Sequence, residues 1–186
     1  MGGAMSIVLA GSTSGTITLQ EPAVAGTNTL TLPALTGTVL TTATVGTVLQ
    51  VVNAAYSTQT STSSNVFADT GITATITPKF TTSKILVMVA ITGVAKTTNN
   101  TYGYFQLLRS ATVLAQIERL AGYNNSSSDI GIGTCGIDYL DSPATTSATT
   151  YKVQFSSRNN NAAIFICATD GGASSTSTIT LMEIAA

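Results

Sequence analysis

The stretch that decides the fold lies near the middle of the chain, where residues 84–96 run KILVMVAITGVAK. The apolar run from Ile85 to Ala95 is about half of the roughly 20 residues that a membrane-spanning helix needs, so we interpret it as a buried β-strand. Because apolar and polar residues do not alternate, both faces of this strand need cover, one from its own domain and one from another subunit. The residues assigned to that subunit interface are Ile85, Val87, Val89 and Ile91.

Further strands follow this one and precede it at short spacing, separated by clusters of Ser, Thr, Asn, Gly and Pro. Only Val113–Leu120 has a near-helical period, and we interpret it as a strand as well. Eight or more short strands in about 140 residues predict an antiparallel, jelly-roll-like β-sandwich. The predicted strands are Thr47–Val52, Val66–Asp69, Ile72–Thr77, Lys84–Ala95, Thr101–Arg109, Thr112–Arg119, Asp129–Leu140, Thr150–Ser156, Ala162–Thr169 and Ser177–Ile184.

Charge is the most unusual feature of the composition. Charged residues make up 8% of the 186 residues, against about 25% in typical globular domains. The net charge of −1 offers no attraction for nucleic acid or for anionic lipid, so neither is an expected partner. The mean hydropathy of +0.35 argues against disorder. A surface with so few charges fits either a soluble monomer rich in Thr or, as we favour, a subunit buried against other subunits.

Residues 1–45, which we call the arm, differ from residues 46–186, which we call the head. The arm has no Lys, Arg or aromatic residue, and Gly-Thr pairs at positions 15, 26 and 37 recur every eleven residues. Short apolar or alternating strands follow these pairs, as expected of a one-dimensional β-array. The apolar side chains are too few to offset the ordering entropy of the arm, so it needs partners. The residues predicted to contact sister chains or a particle are Ile17, Leu19, Leu30, Leu32, Val39 and Leu40.

Residues suited to catalysis or metal binding are scarce. The chain has no histidine, which removes imidazole acid–base catalysis, Ser–His and Cys–His nucleophiles and imidazole metal sites. Asp138 and Asp141 are the closest carboxylates, but they fall on opposite faces of a strand or one lies in the turn. We therefore expect no enzyme activity, no metal, no cofactor and no small-molecule ligand.

Two further features have structural interpretations. Cys135 and Cys167 lie in predicted strands and are expected to be reduced, buried thiols, although the sequence leaves their pairing open. The first five residues lack a basic region followed by an apolar run, so no secretory signal is expected and assembly would take place in the cytoplasm.

An aromatic and basic group of residues in the head is a candidate receptor surface. Tyr and Arg are favoured at protein interfaces, but the same residues also suit an ordinary solvated strand edge. The candidate residues are Tyr102, Tyr104, Arg109 and Tyr123.

Several strings resemble structural proteins of tailed phages, and of cyanophages in particular. The arm carries LAGSTSGTITLQ at residues 9–20, GTNTLTLP at residues 26–33 and TGTVL at residues 36–40. The head adds GITATITPK at residues 71–79, SKILV at residues 83–87 and ITLMEI at residues 179–184. The resemblance covers most of the chain in patches, and its motifs are distinctive as strings but carry no chemistry.

The resemblance implies a homotrimeric virion protein with a β-rich arm and a jelly-roll-like head. Its partners would be itself and the major capsid protein or another virion protein. Such proteins serve as capsid decoration (cement) proteins or as tail fibres, and the compact head with an adhesive arm favours decoration. The alternatives are a short tail fibre that recognises a host surface glycan and a polysaccharide-degrading spike enzyme, for which acidic groove residues and length are lacking.

Overall fold

The computed structural model describes residues 6–10, 12–20, 45–121, 130–158, 162–170 and 172–186. The chain divides into two compact units, residues 1–39 and 40–186. The boundary predicted after residue 45 stays a prediction, because residues 21–44 lie outside the described residues.

The described part of the first unit is a β-hairpin. Strand β1 (Ser6–Ala10) pairs antiparallel with β2 (Thr16–Gln20), so that Ser6 lies opposite Gln20 and Ala10 opposite Thr16. Gly15 precedes β2 with a φ of 79°, a left-handed conformation that glycine adopts without strain. The short alternating strand predicted after the first Gly-Thr pair is confirmed as β2, and β1 is its partner.

The second unit is built from strands and short connections. Alternating apolar residues give most of these strands one buried and one outward face. The strands are β3 (Val48–Tyr56), β4 (Thr60–Thr62), β5 (Ala68–Ile76), β6 (Lys84–Lys96), β7 (Tyr102–Arg109), β8 (Thr112–Leu120), β9 (Ile130–Asp141), β10 (Thr149–Arg158), β11 (Ile164–Ile166), β12 (Thr169–Asp170), β13 (Ala173–Ser174) and β14 (Ser177–Ile184).

All of these strands except β12 and β13, which form a small hairpin of their own, make up two antiparallel sheets that face each other. The first follows the order β5-β10-β7-β8. The second follows β3-β14-β6-β11-β4, with β9 on the other side of β6. Because β11 pairs with β6 beyond the end of β14, and β4 pairs with β11, the second sheet also has four rows: β3 with β4, β14 with β11, β6, and β9.

The eight rows pair in a simple nested order. Counted along the chain, the first row (β3 with β4) pairs with the last (β11 with β14), the second (β5) with the seventh (β10), the third (β6) with the sixth (β9) and the fourth (β7) with the fifth (β8). Successive pairs belong alternately to the two sheets. The unit is thus organised like one long hairpin that has been rolled into a two-layer sandwich.

The core lies between the two sheets and is filled mainly by β-branched and aromatic side chains. The rings of Phe105 and Phe155 stack with their centroids 6.2 Å apart. Side chains of this kind suit a pleated surface and supply the burial that stabilises a sandwich. The buried core residues include Ile72, Ile76, Ile85, Val87, Val89, Ile91, Phe105, Leu107, Tyr151, Val153, Phe155, Ile164, Ile166, Ile179 and Leu181.

Glycine permits a bend in β5 where the sequence predicts a break between two strands. Gly71 has a φ of 95°, and the pairing with β10 shifts register between Lys152 and Gln154. A Cβ atom at this position would lie 2.5 Å from the ring of Tyr56. The predicted strands Val66–Asp69 and Ile72–Thr77 are therefore one bulged strand, Ala68–Ile76.

Most other predicted strands are confirmed with shifts at their ends. The segment with a near-helical period is strand β8, and the terminal alternating segment is β14 with the predicted bounds. The strand predicted over Ala162–Thr169 is wrong in extent: β11 ends at Ile166, Cys167 follows with a positive φ of 49°, and a small hairpin of β12 and β13 begins at Thr169. Strand β4 overlaps one of the clusters of Ser and Thr that were predicted to separate strands.

The prediction of a subunit interface on β6 is wrong about which face of the strand is exposed. Ile85, Val87 and Ile91 are 0% exposed and Val89 is 4% exposed within the single chain. These β-branched residues face the opposite sheet, so they form the core and cannot contact another subunit. The outward face of the strand instead carries Leu86, Met88 and Ala90, all of which are partly exposed.

Candidate functional site on the outer sheet faces

The outer face of the sheet β3-β14-β6-β9, which we call the apolar face, carries a row of large apolar side chains. Val51 lies opposite Met182, Met182 opposite Leu86, and Leu86 opposite Leu140, one residue from each strand. Val51 and Leu140 at the two ends are 53% and 51% exposed. Alternation places all four outward, because the residues next to them, Val52, Leu181, Val87 and Tyr139, pack into or against the core.

The neighbouring rows of the apolar face carry mostly uncharged side chains. The next row contains Asn53, Thr180, Met88 and Asp138, and the row after it contains Ala55, Thr178, Ala90 and Gly136. The Asn53 amide donates to Thr180 Oγ1 at 2.7 Å. The exposed charges on the described strands of this face are those of Lys84 and Asp138. The face is therefore nearly free of charge.

The outer face of the sheet β5-β10-β7-β8, which we call the amide face, carries a ladder of polar side chains across all four strands. Gln116 Nε2 donates to Gln106 Oε1 at 2.9 Å, and Gln106 Nε2 donates to Gln154 Oε1 at 2.7 Å. Gln154 Nε2 completes the ladder by donating to Asp69 Oδ1 at 2.7 Å. Gln106 in the middle is 6% exposed, so its hydrogen bonds are needed to offset burial.

A salt bridge ends this ladder at β5. Lys152 Nζ lies 2.9 Å from Asp69 Oδ1, and both side chains are partly exposed. Hydrogen bonds from Lys152 and Gln154 hold the pKa of Asp69 below its ordinary value. Because the pair is solvated, its contribution to stability is small.

An aromatic–arginine cluster occupies the end of the amide face nearest to the start of β7. The Arg158 guanidinium carbon lies 5.6 Å from the ring centroid of Phe67 and 5.3 Å from that of Tyr104. Ser156 lies opposite Tyr104 and is 0% exposed although it points to the outer face. Neither Ser156 Oγ nor Arg158 Nε has a hydrogen-bond partner, and both atoms are buried.

A buried carboxylate joins the two sheets at one end of the sandwich. Asp141 on β9 accepts hydrogen bonds from Arg109 Nη1 at 2.8 Å and from Tyr151 Oη at 2.7 Å. Burial, together with the Asp141 carboxylate, raises the pKa of Tyr151 far above its ordinary range. Asp138 on the same strand is exposed on the apolar face. The two aspartates thus lie on opposite faces and do not form a carboxylate pair.

A second buried carboxylate anchors the connection between β5 and β6. Glu183 is 0% exposed and accepts hydrogen bonds from the Gln50 amide and from the Lys79 backbone N–H at 2.6 Å. Burial raises the pKa of the Glu183 carboxyl, but these hydrogen bonds outweigh burial and leave that pKa below its ordinary value. Both buried carboxylates thus have structural roles.

The candidate receptor residues do not come together. Tyr102 and Arg109 lie at opposite ends of β7, about 23 Å apart for seven steps of an extended strand. Tyr104 lies in the aromatic–arginine cluster, whereas Arg109 is paired with Asp141. Tyr123 lies outside the described residues. The sequence analysis missed Arg158, Ser156 and Phe67, which the alternation of β10 and its pairing with β5 bring together.

The predicted contact residues of the arm are only partly described. Ile17 and Leu19 lie in β2, whereas Leu30, Leu32, Val39 and Leu40 lie outside the described residues.

Cys135 and Cys167 are free thiols, one half-buried and one buried, and burial raises the pKa of the Cys135 thiol to about 11. A thiol with so high a pKa is a poor nucleophile at neutral pH.

Comparison with known proteins gives no assignment. No protein-family model matches this sequence, and no curated protein is similar to it. Within the described ranges, no group of three or more His, Cys, Asp or Glu side chains is placed to hold a metal ion. The same part of the chain contains no helix with the length and apolar character that crossing a membrane requires.

Proposed function

We propose that this chain is a non-enzymatic structural subunit that assembles as a homotrimer on a phage particle, as a capsid decoration protein. The observation that carries the assembly part is the row Val51–Met182–Leu86–Leu140, which crosses the whole apolar face. Contact with a second copy of the chain would bury this apolar row and remove it from water. The phage-particle part of the proposal has its support in the arm and head strings of the sequence.

We further propose that the head is a jelly roll. This finer statement is supported by the nested pairing of its eight rows, first with last and fourth with fifth, in two four-row sheets. Double-sheet jelly rolls are found in viral capsid proteins, so the fold fits the proposed role without requiring it.

The size of the apolar face indicates that the face alone is too small for a stable trimer. Four strands about 4.8 Å apart and seven residues of about 3.4 Å each give an area on the order of 450 Å². A stable interface buries about 800 Å² on each partner. The arm is the segment that can supply the difference, because its apolar stripes need a partner of their own.

Decoration would stabilise the shell by mass action. A protein that binds the assembled lattice but not its dissociated subunits shifts the equilibrium towards the lattice. Three copies joined through the head would present three arms, and linked binding sites hold a surface more strongly than single ones. The proposal therefore uses both parts of the chain for one task.

Imaging of purified particles carrying the labelled protein tests the proposed location. We expect label over the whole shell in hundreds of copies. Label confined to the tail would overturn decoration and support the short tail fibre. The observation that favours this second function is the aromatic–arginine cluster on the amide face.

Deletion of residues 1–45 tests the arm separately. We expect the truncated head to stay folded, as judged by circular dichroism, and to lose particle binding. The control is a full-length chain with Val113→Asp, which adds a charge at an exposed position of β8 outside the proposed contacts. Unchanged particle binding by the truncated head would remove the arm from the account.

A further inference from the structure

The aromatic–arginine cluster contains two polar groups that the protein leaves unpartnered. Ser156 Oγ and Arg158 Nε are both buried and without a hydrogen-bond partner, and they belong to residues two apart on β10. Residues at this spacing point to the same face, with Cα atoms about 7 Å apart. Buried polar groups are almost always paired in native proteins, so two unpartnered groups on the same face of one strand indicate a place for an outside group.

The chemistry of these groups selects an anion. Arg158 Nε–H and the Ser156 hydroxyl are both hydrogen-bond donors, and the guanidinium adds a positive charge. The ion pairs in the described part of the chain are Arg109–Asp141 and Lys152–Asp69, so Arg158 has no carboxylate of its own there. A planar guanidinium matches a carboxylate in geometry, and one cation balances one carboxylate.

The surroundings favour a sugar acid over an acidic peptide. Strands β10 and β7 are inner strands whose backbone groups are already paired, so an extended peptide cannot add to the sheet at this point. Each contact of the adjacent amide ladder uses one N–H of one glutamine and one lone pair of the next. The glutamine amides therefore keep further N–H groups and lone pairs that can bind sugar hydroxyl groups. The rings of Phe67 and Tyr104 border the site and offer apolar edges to a sugar ring.

We propose that Arg158 and Ser156, framed by Phe67 and Tyr104, form a binding site for the carboxylate of an acidic polysaccharide. The Arg158 side chain as a whole is partly exposed and is held by two cation–π contacts, so it can move to admit the carboxylate oxygens. The site lies on the amide face and does not depend on assembly through the apolar face. Its failure would leave the solution mass of the protein unchanged, so the two proposals fail separately.

Titration of the full-length protein with an oligomer of uronic acid, followed by calorimetry and NMR, tests this site. We expect saturable binding of the uronate oligomer and none of a neutral glucose oligomer of equal length. Absence of uronate binding, or equal binding of the neutral oligomer, would overturn the proposal. Equal binding of a Glu-rich peptide would overturn the choice of a sugar acid.

Matched variants locate the binding. Arg158→Gln should weaken uronate binding at least tenfold, and Ser156→Ala should weaken it several-fold. Lys152→Gln removes the same charge from the same face and the same strand, and should leave binding unchanged. Arg158→Lys keeps the charge but loses the planar fork, so it should also weaken binding and serves if the glutamine variant fails to fold. Wild-type affinity in both Arg158 variants contradicts the assignment.

Discussion

The two outer faces of the same sandwich are built on opposite plans. The apolar face carries a row of four large apolar side chains, whereas the amide face carries a ladder of four polar ones. In both, one residue from each of four strands lines up across the sheet. The polar side chains of the ladder hydrogen-bond to one another, whereas an apolar row is stabilised only when it is removed from water.

This difference indicates which face needs a partner. If the row and its neighbours lose about 200 Å² of apolar surface, burial stabilises each contact by about 5 kcal/mol. Ordering costs on association consume much of such a gain, so the arm must add to it. On the described strands of the amide face, the buried side-chain groups that lack a hydrogen-bond partner are Ser156 Oγ and Arg158 Nε.

The largest effect is expected from charge placed on the apolar face. The double variant Val51→Asp and Leu140→Asp should abolish assembly, since each new carboxylate would be buried without a partner. Both positions are half-exposed in the single chain, so the fold should survive. Light scattering measures the mass, and circular dichroism checks the fold. The control Val113→Asp should assemble normally, and loss of assembly there would contradict the distinction between the faces.

The next effect concerns the connection between the two sheets. Asp141→Ala leaves Arg109 and Tyr151 without their common acceptor, and should lower the free energy of unfolding by about 3–5 kcal/mol. Urea denaturation measures the change. Asp138→Ala on the same strand is the matched control and should alter stability by no more than about 0.5 kcal/mol. Equal effects of the two would show that the buried carboxylate does not join the sheets.

The amide ladder should contribute less. Gln106→Leu removes the buried middle member, and should cost about 1–2 kcal/mol because Gln154 and Gln116 each lose a partner. Gln116→Leu at the exposed end of the ladder should lower the free energy of unfolding by no more than about 0.5 kcal/mol. Thermal melts of the two variants compare them. A larger loss at the exposed end would mean that the ladder is not a connected unit.

The smallest effect is a loss of stability in acid that originates in the interior. The folded-state pKa of Glu183 lies below its ordinary value of 4.5. The ionised carboxylate therefore contributes to the stability of the fold above pH 4.5, and this contribution is lost as the pH falls through the folded-state pKa. Glu183→Gln should flatten the dependence of the melting temperature on pH below about 4.5. An unchanged slope would place the acid sensitivity elsewhere, with Asp69 on the amide face as the next group to change.

Much of this fold was predictable, because alternation and turn residues mark strands directly. The alternation from Ser177 to Ile184 and the apolar run from Ile85 gave correct strands. The choice of face on β6 was not predicted correctly, since a strand apolar on both sides has no periodic signal. The residue types did distinguish the two faces of β6: the inward residues from Ile85 to Ile91 are β-branched, and the outward residues Leu86, Met88 and Ala90 are not.

The surfaces were far less predictable than the strands. The apolar row joins positions 51, 86, 140 and 182, and its existence depends on the registers of three strand pairs. The same holds for Arg109, whose partner Asp141 lies 32 residues away. Sequence patterns fix which side a residue faces within its own strand, but register between distant strands decides which side chains become neighbours.

The measurement that tests the central claim most directly is sedimentation equilibrium of the full-length chain in solution. Assembly through the apolar face and the arm predicts a mass three times that of the 18.9 kDa chain. A folded species at 18.9 kDa across the concentration range would contradict the account, because the apolar row would then be stable in water without a partner.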